Sequence, residues 1–162
     1  MSNLTNNTNK FISKVNHDLK SPPLDQEIIC QYLYNPALGS DKFSIFILKN
    51  IDNNKFRAFK KTWDISFLPQ PTILFDLEKT GIKTTELNIT KDQLIKVLDT
   101  VEKIENYPLI VGDEKAIILD GVEEILKINY KHINKDYNWN ASTKDLKIIQ
   151  PIIDVILLLA KN

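Results

Sequence analysis

An α+β domain, an antiparallel sheet layered with about three helices, is the fold class this sequence predicts. Strand-like alternation over residues 43–48 and 56–67 is separated only by turn-forming residues, so the strands pair antiparallel. Helical spacing appears in three stretches, around 24–33, 94–104 and 146–159, too few for an alternating strand–helix array. The length, 162 residues, fits one domain. A chain of that size buries roughly 70% of the surface it exposes when unfolded and needs no disulfide or metal staple.

Residues 1–10 are polar and rich in Asn and Thr, which predicts a disordered tail before a single domain over 11–162. Ser21-Pro22-Pro23 has the form of a helix start, with Leu24, Ile28, Ile29, Tyr32 and Leu33 as its apolar stripe and Asn35-Pro36 as its stop. Phe43, Ile45 and Ile47 alternate with Ser44, Phe46 and Leu48 in a strand, and residues 51–55 are turn chemistry. The return strand sets Trp63, Ile65 and Phe67 against Lys60, Thr62, Asp64 and Ser66. A third strand is expected over 72–77 and a fourth over 84–89.

Thr90 and Gln93 form a capping box ahead of Leu94, Val97, Leu98, Val101 and Ile104, a helix ended by Asn106-Tyr107-Pro108. Short strands are expected at 109–111 and 115–119, then a hairpin at Asp120-Gly121. The returning strand points Leu126, Ile128 and Tyr130 one way and Lys127, Asn129 and Lys131 the other. A turn at 134–136 leads to a short strand at 137–139. Ser142 or Thr143 caps a last helix that is apolar on several sides. Pro151 either kinks that helix or begins its second half.

The charge balance narrows function. Basic and acidic residues number 21 each, and Arg57 is the sole arginine, which argues against a general nucleic-acid or membrane-surface binder. The start has no apolar core of a signal peptide, and the longest apolar run, 155–160, is far too short to span a bilayer. A cytoplasmic protein is therefore expected. Cys30 is the only cysteine, so no disulfide can form within the chain.

No catalytic motif emerges, and the expectation is a protein that is not an enzyme and uses no cofactor. Gly39, Gly81, Gly112 and Gly121 stand alone, without the clustering of a phosphate loop. His17, His132 and Cys30 lie far apart, with no metal-ligand spacing. Asp136 lies four residues past His132 across an expected turn, which allows a His–carboxylate contact, with a structural or chance contact as the plainer reading. Cys30 fits a small core residue better than a nucleophile.

Carboxylates are the remaining chemistry. Asp113, Glu114, Asp120, Glu123 and Glu124 crowd within twelve positions, and residues 99–124 carry a net charge of −6. Residues 42–61 carry +5. Two carboxylates could run acid–base chemistry, but segregated charge equally suits a directional field toward a charged partner, and chance scatter is the plain alternative. Tyr130 alternates with core positions, whereas Tyr137 and Trp139, beside a loop, are expected at the surface as partner contacts.

The C-terminal stretch Ala116-Ile-Ile-Leu-Asp120-Gly121-Val122, then Tyr130, then Tyr137-Asn-Trp139 and a Leu/Ile-rich closing helix, resembles small bacterial α+β immunity proteins of toxin–immunity systems. The likeness covers about the last 50 residues. It implies a protein that binds a cognate toxin in the cytoplasm and blocks its active site without catalysis. Partner-binding residues would then be Asp113, Glu114, Asp120, Glu123, Glu124, Tyr137 and Trp139, with no catalytic residue, metal, nucleic acid or membrane involved. Two other classes stay open: an adaptor that dimerises through Val155, Leu157 and Leu158 of the last helix, and an enzyme with a dispersed carboxylate site.

Overall fold

A computed structural model describes residues 2–36, 41–64, 80–104, 122–139 and 146–161. They form three helices and six strands: α1 (Ser2–Lys20), β1 (Glu27–Pro36), β2 (Lys42–Lys49), β3 (Phe56–Trp63), β4 (Lys83–Leu87), α2 (Lys91–Ile104), β5 (Val122–Tyr130), β6 (Ile133–Trp139) and α3 (Gln150–Ala160). The strands make one sheet in the order β4-β3-β2-β1-β5-β6. Every neighbouring pair is antiparallel, so the domain is α+β as the alternation predicts. Among the described residues no helix is long and apolar enough to cross a membrane.

Two segments depart from expectation. Residues 2–10, expected to be a disordered tail, are the first half of α1. That helix docks through Phe11, Val15 and Leu19, four residues apart and all buried, so tertiary burial overrides the poor helix propensity of its Asn/Thr-rich start. Ser21, expected to open a helix, instead closes α1: its amide and its Oγ both donate to the His17 carbonyl at 3.0 Å. The stretch expected to be helical is the central strand β1. Ile29, Cys30, Gln31, Tyr32 and Leu33 are consecutively buried, because β1 has strands on both edges and packing on both faces. Such a strand loses its polar alternation and imitates a helical stripe. A bulge between Ile28 and Cys30 shifts the register and blurs the pattern further.

Other elements follow the residue pattern. Asn50 Oδ1 accepts the amides of Asp52 (2.8 Å) and Asn53 (3.3 Å), and Asn54 takes a positive φ of 54°, which turns β2 into β3. The capping box forms: the Thr90 amide donates to Gln93 Oε1 at 2.8 Å, and the Gln93 amide to Thr90 Oγ1 at 3.2 Å. The turn expected at 134–136 lies earlier, at Lys131 and His132, with Lys131 at φ 54°. Residues 134–136 are strand, and Asp136 faces Lys127 across the hairpin at 3.5 Å. Pro151 sits in the first turn of α3, where its missing amide costs nothing, so it starts this helix. Val155 is buried, whereas Leu157 and Leu158 are exposed. The strands expected at 72–77, 109–111 and 115–119, the Asp120-Gly121 hairpin and the caps at Ser142 or Thr143 lie outside the described residues.

The sheet separates two packed layers. On one face α2 and α3 cover Cys30, Tyr32, Ile45, Ile47, Ala58, Leu126, Ile128, Tyr137 and Trp139, a continuous apolar core. On the other face α1 covers Leu33 and Trp63. Beside it Leu24 and Ile28 pack on Phe46, Leu48 and Phe59.

Candidate functional site

Register brings five strand ends together. Pro36 pairs with Val122, Lys42 with Trp63, and Glu124 with Trp139, so these residues mark one end of the sheet. Glu123 and Glu124 enter β5 there. Consecutive strand residues point to opposite faces, and the two carboxylates therefore belong to different environments.

Glu124 faces the α2–α3 side. It accepts a short hydrogen bond from the hydroxyl of Tyr32, which is buried in β1. The Tyr32 ring lies 6.0 Å from Phe43 and 6.2 Å from Trp139, and Tyr34 stacks on Phe43 at 5.0 Å. Burial, and then the neighbouring Glu124 carboxylate, push the Tyr32 hydroxyl well above the ordinary tyrosine range. The pair is thus a neutral donor held against an acceptor inside a box of rings from β1, β2 and β6.

Glu123 faces the α1 side. Its Oε2 accepts from Asn35 Nδ2 at 3.0 Å, and its Oε1 from Asn138 Nδ2 at 3.3 Å. Lys42 is near: burial lowers its ammonium from the usual lysine range, and Glu123 pulls against that. Lys42 Nζ also reaches Asn16 Oδ1 at 3.4 Å and lies 5.9 Å from the centre of the Trp63 ring. Beyond Glu123, the outer face of the β5–β6 hairpin exposes Lys127, Asn129, Asn134, Asp136 and Asn138.

The expected partner-binding residues divide three ways. Asp113, Glu114 and Asp120 lie outside the described residues. Glu123 and Glu124 are half-buried on opposite faces and do not form one acidic surface. Tyr137 and Trp139, expected at the surface, are buried at 1% and 5% exposure. Their parity in β6, shared with Ile133, turns both rings into the α2–α3 core. That parity is readable from the residues once the turn is placed at 131–132. No local pattern in the sequence marks Asn35, Asn138 and Tyr32, since they lie on β1 and β6 and meet Glu123 and Glu124 of β5 only across the sheet.

Cys30 is buried, and desolvation pushes its thiol up to about 12, away from thiolate chemistry. His17 and His132 are exposed, and Asp136 pairs with Lys127. Among the described residues no three His, Cys, Asp or Glu side chains gather as a metal site would require. The arrangement at this end of the sheet can fix a carboxylate for recognition: Glu123 is oriented by two carboxamides and keeps lone pairs free for a further donor. No protein-family model matches the chain, and neither a curated protein nor a solved structure matches it.

Proposed function

We propose that this protein works by binding another protein, as an immunity protein that neutralises a cognate bacterial toxin in the cytoplasm. The observation that carries the reading is Glu123. A half-buried carboxylate clamped by Asn35 and Asn138, at the rim of an exposed hairpin of Asn, Lys and Asp side chains, is a preorganised acceptor for a basic partner. The resemblance of the last third to immunity proteins, and the acidic bias of residues 99–124, point the same way.

The structure refines the test. Reversing Glu124 would remove the acceptor of the buried Tyr32 hydroxyl and damage the fold, so Glu124 stays intact. The informative variant is Asp113→Lys, Glu114→Lys, Glu123→Lys. The partner tested is a toxin-domain protein encoded beside the gene, or a protein captured by pull-down. The triple variant should keep its circular dichroism, bind that partner at least about tenfold more weakly and lose protection in co-expression. Unchanged affinity and protection would sink the acidic-face reading.

A further inference from the structure

We propose that α1 is a strap that opens from the sheet as a unit of its own, leaving the six strands and the α2–α3 layer folded. This inference does not rest on the toxin-binding reading. It rests on what lies beneath the helix.

The seam under α1 is a two-by-two block of β2 and β3. Lys42 pairs with Trp63 and Ser44 with Lys61, and paired residues share a face. Every member of this block is polar or carries a polar atom. Ser44 and Trp63 are buried, and among the described residues neither Ser44 Oγ nor Trp63 Nε1 has a hydrogen-bond partner. Undocking α1 lets water reach both, which removes the penalty of burying them without a partner. Lys42 and Lys61 are anchors with the same character. Lys61 Nζ donates to the Asp18 carbonyl at 2.8 Å and Lys42 Nζ reaches Asn16. Burial nevertheless lowers both ammonium groups, so the nearby acids Glu123 and Asp18 do not make up for the water lost. Opening rehydrates them.

Among the described residues, the contacts that hold α1 down are few. Phe11, Val15 and Leu19 fill the groove of Leu33 and Trp63, with Ile12, Ile82 and Ile125 at its margin. Gln31 Nε2 donates to the Lys20 carbonyl at 3.0 Å and Thr80 Oγ1 to Asp18 Oδ2 at 3.3 Å. The first half of the helix contributes no intrinsic preference, since Asn3, Thr5, Asn6, Asn7, Thr8 and Asn9 are weak helix formers, and no acidic residue complements its first turn. Residues 21–26 join α1 to β1, and α1 is no part of the sheet, so lifting it breaks no strand pairing.

Native-state hydrogen exchange on the full chain tests the strap. Amides of residues 12–20 should open at least about a hundredfold more often than those of β1 and β2. Ser44→Ala, which deletes the unpartnered hydroxyl, should slow the opening of α1 by about fivefold. Leu19→Asp should leave α1 unprotected while β1, β2 and β5 amides stay protected. Equal opening of α1 and the central strands, or loss of sheet protection in Leu19→Asp, would overturn the proposal.

Discussion

The two faces of the sheet are closed in different ways. The α2–α3 face is apolar nearly throughout; among the described residues the buried Tyr137 hydroxyl lacks a hydrogen-bond partner there, and other polar groups on this face are paired. Thr100 donates back to the Lys96 carbonyl at 2.7 Å, Tyr32 donates to Glu124, and Lys60 Nζ donates to the Ala160 carbonyl at the end of α3. The α1 face carries two partly buried lysines and, among the described residues, a buried serine hydroxyl and a buried indole N–H without hydrogen-bond partners. Buried apolar area stabilises in proportion to its extent, whereas dry polar groups subtract from it. The difference teaches that one sheet can carry a layer that is the core and another that is an attachment.

The largest effect should come from placing a charge in each layer. Ile156 lies fully buried in α3 against the sheet. Ile156→Asp removes a buried side chain and strands a carboxylate, a loss of more than about 5 kcal/mol, comparable to the whole stability of a domain. The chain should lose its strand circular dichroism and its cooperative urea transition. The matching change in α1, Leu19→Asp, should keep both. If Ile156→Asp also leaves a cooperative transition, the two faces do not differ in kind.

The contrast also explains what was legible in the residues. β2, β3, the capping box of α2 and the buried stripe of α3 could be read because a strong local signal agreed with the tertiary context. β1 could not, since a strand buried on both faces shows no alternation, and Ile28, Ile29, Tyr32 and Leu33 fall at helical spacing by coincidence. α1 was hidden by its Asn/Thr run, although the spacing of Phe11, Val15 and Leu19 was available. At the site, the opposite facing of Glu123 and Glu124 follows from strand parity alone. The clamp of Asn35 and Asn138 on Glu123 does not, because it depends on β1 and β6 flanking β5, a pairing across 88 positions on one side.

A second difference appears in alkali. Cys30 and Tyr32 both lie on the α2–α3 face with their acidic groups raised, the thiol from 9.0 to about 12. A group whose folded pKa is raised keeps its proton after the unfolded chain has lost it. Its contribution is complete below the unfolded value and is lost as pH rises toward the folded one. Stability should fall above pH 9 by about 1.4 kcal/mol per pH unit from Cys30, with Tyr32 joining above about pH 10. Urea midpoints measured from pH 8 to 10.5 should show the decline, and Cys30→Ala should flatten it between pH 9 and 10. An unchanged slope in Cys30→Ala would mean that the thiol is hydrated in the folded protein.

The smallest effect has the opposite sign. Lys42 and Lys61 are lowered by burial, so in the folded protein they release protons before the unfolded chain does, at pH values approaching the ordinary 10.5. The unfolded or undocked state then binds more protons, and contact between α1 and the sheet strengthens as pH rises. Both side chains keep solvent contact, so the gain is small beside the loss in the core. Trp63 reports on this seam, and Trp139→Phe makes it the sole tryptophan. In a Trp139→Phe, Leu19→Ala background, Trp63 emission should follow release of α1 at low urea, and strand circular dichroism the later global transition. Between pH 8 and 10 the first midpoint should move to higher urea while the second moves lower, and Lys42→Met should weaken the upward drift. If the two midpoints fall together, α1 and the α2–α3 layer share one cooperative unit, and the distinction between core and attachment fails.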